Sequence, residues 1–98
     1  MTMQGFDLIR AERIRQVHSE GYKPEKDAGR EAELVNAARA YLTAANNQIT
    51  FPQLEIEIPG SWPWDSKFFK PTETKRMLIK AGALVAAAID ALPEEDNA

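Results

Sequence analysis

Apolar residues recur with helical spacing in three stretches of this chain, and two stretches without that spacing separate them. Over residues 6–20, Phe6, Ile9, Ile14 and Val17 fall on one side of a 3.6-residue wheel. Glu12, Gln16 and Glu20 form a neighbouring stripe four residues apart. Gly21 ends the pattern. Lys23 is pushed out of the helical region by Pro24, and Gly29 sits just ahead of the next start, so GYKPEKDAG is turn chemistry throughout. Over 30–46, Leu34, Ala37, Ala38, Tyr41, Ala44 and Ala45 share one broad face. Its alanines let a second helix come close, because interaxial distance follows the size of the contact residues. The third pattern covers 72–92, with Thr72 as its expected cap and Pro93 as its stop. Met77, Leu78, Ala81, Leu84, Val85, Ala88, Ile89 and Leu92 form the apolar stripe, while Lys75, Arg76, Lys80 and Asp90 lie opposite.

The connection over 47–71 is long for a small domain, and loops of that length are usually functional or partly structured. Within it, LEIEI alternates apolar and acidic side chains as a short half-buried strand does. Such a strand needs an edge to pair with, either Ile49 to Phe51 through a hairpin or a second subunit. The pattern therefore predicts a mainly α domain over 1–98: three helices, with a long loop between the second and third that has room for a short β-hairpin.

Composition narrows the class. At 98 residues, 44% hydrophobic and 28% charged, the chain is long enough for one modest core and has the balance of an ordinary globular domain. Two alanine-rich faces on so small a domain leave apolar surface over, which predicts a homo-oligomer. A net charge of −3 argues against a general nucleic-acid coat, which needs a dense row of cations. The chain has no cysteine, and so no disulfide frame, thiolate metal site or cysteine nucleophile. MTMQGFDLIRAERIRQ carries charges where a secretory signal needs an unbroken apolar run. The run from Ala81 to Ile89 is far short of the ~20 residues of a membrane helix. A cytoplasmic protein with no membrane partner is expected.

Chemistry is concentrated in SWPWDSKFFKP, Ser61 to Pro71, which holds both tryptophans and two of the four phenylalanines. Aromatics this dense outside a periodic segment need a partner, either the protein's own core or a flat ligand. Nucleotides are held by aromatic stacking with cationic donors to phosphate, and Lys67, Lys70, Lys75, Arg76 and Lys80 bracket and follow the loop. Arg13, near the centre of the first helix's apolar side, either snorkels past the core edge or pairs with a carboxylate such as Glu33 or Asp27. The binding candidates are Arg13, Tyr22, Trp62, Trp64, Lys70, Lys75 and Arg76. No catalytic residue, metal ligand or cofactor is predicted. Glu12, Glu20, Glu31, Glu33 and Asp90 do not make the paired E-x-x-E and E-x-x-D spacing that helical nucleotide pyrophosphohydrolases use to hold magnesium. His18 has no triad pattern around it, and GREAEL lacks the lysine and threonine of a phosphate loop.

Five runs, ERIRQ at Glu12 to Gln16, EGYKPEKD at Glu20 to Asp27, AELVNAARAY at Ala32 to Tyr41, WPWDSKFFKP at Trp62 to Pro71 and LIKAGALVAAAIDAL at Leu78 to Leu92, cover most of the chain. In that order they resemble a family of small uncharacterised proteins encoded by bacteriophages and prophages. Where that pattern shows His-Asp-Asp this chain has Lys26, Asp27 and Ala28, and where it shows a glutamate in the last helix this chain has Ala88. A metal site carried over from those positions would be broken here. The family has no established activity; together with the aromatic-cationic loop, the resemblance leads to the expectation of an accessory or counter-defence role without catalysis, exercised by sequestering a nucleotide-type immune signal. The alternatives are an inhibitor that blocks a host or defence protein, and a small pyrophosphohydrolase-like enzyme.

Overall fold

The computed structural model describes residues 3–19 and 29–93. Three α-helices occur among them: α1 (Gly5–Ser19), α2 (Glu31–Thr50) and α3 (Thr74–Ala91), with a single 3-10 turn at Ser66–Phe68. A mainly α three-helix domain is therefore what the chain forms. Among the described residues there is no strand: Leu54 to Ile58 runs unpaired, and Ile49 and Thr50, half of the expected hairpin, close the last turn of α2.

Local chemistry sets the helix ends. Gly29 has φ 85°, in the left-handed region where a side chain is strained, and its N–H donates to the Glu31 carboxylate at 3.3 Å, so glycine and carboxylate together open α2. α2 runs four residues past the expected end at 46, because Pro52 rather than the Asn46–Asn47 pair stops it. Phe51 before that proline leaves the helical region while its N–H still reaches the Asn47 carbonyl at 2.7 Å. α3 starts at Thr74, two residues after the expected Thr72 cap, and the Thr74 hydroxyl donates to the Gln48 side-chain carbonyl. That bond joins the start of α3 to the end of α2, so the two helices run antiparallel.

The α2–α3 seam is built from small residues. Leu34, Ala37, Ala38, Tyr41, Ala44 and Ala45 of α2 are all buried, as the periodicity predicts, against Met77, Ala81, Leu84 and Ala88 of α3. α1 lies on another face of α3, and here the expected face is met only in part: Ile9 and Val17 are half-buried. Phe6 is 72% exposed and Ile14 is exposed too, whereas Glu12 and Gln16 of the polar stripe are buried. The reason is electrostatic: Glu12 meets cationic partners on the inner side, while the apolar positions of α1 have only the narrow Gly82 strip to pack on. No helix among the described residues is long and apolar enough to cross a membrane.

A Cβ at Gly82 would lie 2.5 Å from Ile9 Cδ1 and 2.8 Å from Cγ1. Alanine at an interior helix position normally gains about 1 kcal/mol over glycine. We expect Gly82→Ala to destabilise by about 1–2 kcal/mol instead, as overpacking does, and Ile9→Ala in the same chain to remove that penalty. Denaturant unfolding of the two single variants and the double variant checks this; a stabilised single variant would mean that α1 does not dock there.

Candidate functional site

The aromatic loop folds back over the middle of α2. Tyr41 stacks on Phe69 with centroids 4.9 Å apart, Trp62 meets Tyr41 edge-on at 5.5 Å and Phe69 at 5.1 Å, and Trp64 meets Trp62 edge-on at 5.2 Å. These are favourable aromatic geometries and account for the density of rings in this segment. Every polar handle in the cluster is engaged within the chain. The Trp62 indole donates to the Asp65 carbonyl at 3.1 Å, the Trp64 indole donates to the Glu33 carboxylate at 2.7 Å, and the Lys70 N–H donates to the Tyr41 hydroxyl at 3.0 Å. Asp65 caps the 3-10 turn by accepting from the Lys67 N–H at 3.0 Å. The hydrogen bond from Trp64, and after it that from Arg30, holds the Glu33 carboxyl below its ordinary value against an opposing desolvation.

Beside this cluster lies a buried charge. Glu12 is 3% exposed, and its carboxylate accepts from Arg15 Nε at 2.9 Å, from Arg15 Nη2 at 2.8 Å, from the Gln16 amide at 3.3 Å and from the Arg76 guanidinium on α3. Burial pushes this carboxyl upward, but the hydrogen bonds from Arg15 and Arg76, with their positive charge, together outweigh it and hold the group below its ordinary value. Of these contacts the one to Arg76 is the tie between α1 and α3.

The predicted site residues are dispersed over different tasks. Trp62 and Trp64 are half-buried and pack against the core; Arg76 holds Glu12; Lys70 is exposed, with its backbone fixed by Tyr41 and by Lys80, whose ammonium donates to the Lys70 carbonyl at 3.3 Å. Lys75 is exposed, and Tyr22 lies outside the described residues. Arg13 pairs with Asp90 at 3.7 Å; of the carboxylates expected for it, Glu33 serves Trp64 and Arg30, and Asp27 is outside the described residues. The aromatic and cationic groups do meet: Lys80 sits 5.4 Å above the Tyr41 ring and Arg30 5.7 Å above Trp64. Among the described residues no three of His, Asp and Glu are placed to share a metal ion.

Two concavities among the described residues bear on the site. One, of about 60 Å³, is walled by Arg15, Gln16, Tyr41, Trp62, Trp64 and Lys80. The Gln16 amide oxygen there is buried and accepts no hydrogen bond from the described residues. That volume suits one or two water molecules, which the orphan oxygen would hold. The second is an open groove of about 540 Å³ between the end of α2 and the following loop, lined by Ala44, Asn47, Phe51, Leu54, Ile56 and the carboxylates Glu55 and Glu57. Pattern reasoning passed over it because LEIEI was read as a strand. Its alternation, with Leu54 and Ile58 exposed and Ile56 half-buried, was the available signal.

No protein-family profile matches the chain, and neither does any curated protein or any solved structure.

Because Glu12 stays ionised to lower pH in the folded chain than in the unfolded one, its contribution is complete above the ordinary glutamate value of 4.5 and is lost as pH falls through the lowered folded value. We expect Glu12→Gln to cost about 2–3 kcal/mol at neutral pH, less than a fully broken buried pair because the amide still accepts from arginine. The gap from wild type should close as the medium is acidified below pH 4.5. Urea unfolding across pH measures both, and parallel pH curves for the two proteins would contradict this account.

Proposed function

We propose that this protein is a non-enzymatic accessory protein, of the counter-defence kind expected from its resemblance to phage and prophage proteins, which acts in the host cytoplasm by binding and occupying a partner protein. The observation that carries this reading is the groove at the end of α2. Phe51 and Leu54 are exposed there, Leu54 at 61%, beside Glu55 and Glu57. A partner segment that alternates apolar and basic side chains matches an apolar floor with a carboxylate rim: the floor excludes water and the rim sets orientation. Phosphate groups are repelled by the same two carboxylates.

Sequestration of a nucleotide-type signal is the second reading, and the Tyr41, Trp62 and Trp64 rings beside Arg15 and Lys80 favour it. The enclosed volume there, about 60 Å³, is well below the roughly 300–1,000 Å³ of small-molecule sites, and both indoles already donate within the chain. A nucleotide would have to displace packed aromatics. Partner binding needs no such rearrangement.

Two measurements on the full chain separate the readings. Thermal unfolding against mononucleotides, cyclic nucleotides and ADP-ribose derivatives is expected to show no saturable rise. A labelled peptide of alternating leucine and lysine is expected to bind, with Glu55→Lys combined with Glu57→Lys weakening it at least about tenfold. A saturable nucleotide shift without peptide binding would reverse the order of the two.

A further inference from the structure

The distribution of apolar side chains is inverted in this fold. Of the fourteen buried hydrophobic residues nine are alanine, while large aliphatic side chains remain outside. On α2 the exposed ones are Val35, Leu42 and Ile49; on α3 they are Leu78, Val85 and Ile89, with Leu92 just past the helix end in extended backbone. Val35, Leu42 and Ile49 are spaced seven residues apart, as are Leu78 and Val85. Three residues after the first and second of each set comes a buried alanine, Ala38 and Ala45 on α2 and Ala81 and Ala88 on α3. Each helix therefore repeats an aliphatic residue and an alanine at a and d spacing; the alanines are already buried in the α2–α3 seam and the aliphatics stand beside it.

The two stripes lie on one side of the helix pair. At 3.6 residues per turn, each is about a quarter turn beyond the α2–α3 seam in the N-to-C sense. In antiparallel helices the same sense of rotation leads to the same side. The opposite side is the covered one: Glu33 meets Trp64, Lys80 sits over Tyr41, and Arg76 reaches Glu12 there. The described residues leave the α2 stripe exposed; on α3, Ile9 of α1 packs at Gly82 on the flank of the stripe, and Leu78, Val85 and Ile89 are still 43–64% exposed.

We propose that a second copy of this chain covers this face, forming a two-fold symmetric four-helix bundle from two α2–α3 pairs. Area supports it: the seven side chains are 43–64% exposed and together present roughly 600 Å². That is at the upper end of what a monomer shows and close to the ~800 Å² each partner contributes to a standard interface. The face is self-complementary, because both helices repeat the same spacing and α2 and α3 are nearly equal in length at 20 and 18 residues. The aliphatic positions themselves carry no charge, and Arg39 on α2 stands at the rim of the face, as polar residues do around an apolar interface core. The acidic groove opens beside Ala44 and Asn47, away from the aliphatic side, so each copy in the dimer keeps its groove and the assembly offers two.

Light scattering after size exclusion tests this on the full chain. Wild type is expected at twice the 11.0 kDa chain mass, Leu42→Lys with Val85→Lys at the single-chain mass with its helical circular dichroism intact, and the groove variant Leu54→Lys at the double mass. A single-chain mass for wild type at about 200 µM, well above the dissociation constant expected of a specific dimer, would overturn the proposal. So would a double mass for the Leu42 and Val85 variant. Nitroxides at Asn46→Cys, on the rim of the face, need no disruptive substitution: helices about 30 Å long packed 8–10 Å apart put the two labels within about 40 Å. Absence of dipolar coupling would contradict the dimer. Loss of peptide binding by Leu54→Lys at an unchanged double mass would concern the groove alone.

Discussion

The close approach of α2 and α3 is the constraint on which the rest of this structure depends. Alanines at 37, 38, 44 and 45 facing alanines at 81 and 88 let the two axes come near, and Met77 and Leu84 fill what room is left. A seam so close has room for only a few large side chains, Leu34, Tyr41, Met77 and Leu84, and two consequences follow. The bulky aromatics must collect at the edge, where the loop lays Trp62, Trp64 and Phe69 over Tyr41, and the bulky aliphatics must face outward. Small residues also give up little apolar area on burial, so the gain per residue is modest and the fold draws on other contacts.

Those other contacts are polar and long-range. Arg76 to Glu12 ties α1 to α3, Trp64 to Glu33 ties the loop to α2, and Thr74 to Gln48 locks the antiparallel register. A buried carboxylate is costly unless its oxygens are satisfied, and Glu12 has two guanidinium groups and an amide on them. α1 is held by this charge together with the Arg13–Asp90 pair and the Ile9 contact at Gly82. That explains how a helix whose Phe6 and Ile14 face solvent still docks, and why Gly82, which receives Ile9, has no room for a Cβ.

Local signals carried the helices well. Gly29, Pro52 and Pro93 mark ends by backbone geometry, and the alanine face of α2 is buried residue for residue. Wheel periodicity failed in part on α1, because it ranks residues by hydrophobicity and takes no account of a guanidinium sixty-four positions away. Arg76 stands out in the sequence as a ligand-binding candidate, and the structure gives it the carboxylate Glu12; Arg13 has a carboxylate partner as one of its two expected arrangements, and that partner is Asp90 rather than Glu33 or Asp27. The third pattern's apolar stripe predicts one core face, but half of it, Leu78, Val85, Ile89 and Leu92, is outside. A pattern along one chain shows where apolar side chains lie on a helix and not which of them the same chain can cover. LEIEI had strand alternation and no edge to join, because the residues that would have paired with it were needed to finish α2.

The aromatic segment is best understood as the lid of a small core, and the outward aliphatics and the acidic groove as the surfaces left for contact. On the proposed dimer, a second copy covers the large aliphatic side chains and the fold draws part of its stability from association. The most direct test of that claim is the concentration dependence of thermal unfolding for the full chain from about 1 to 200 µM. The account predicts a midpoint that climbs steadily with protein concentration; a midpoint constant over that range would contradict it.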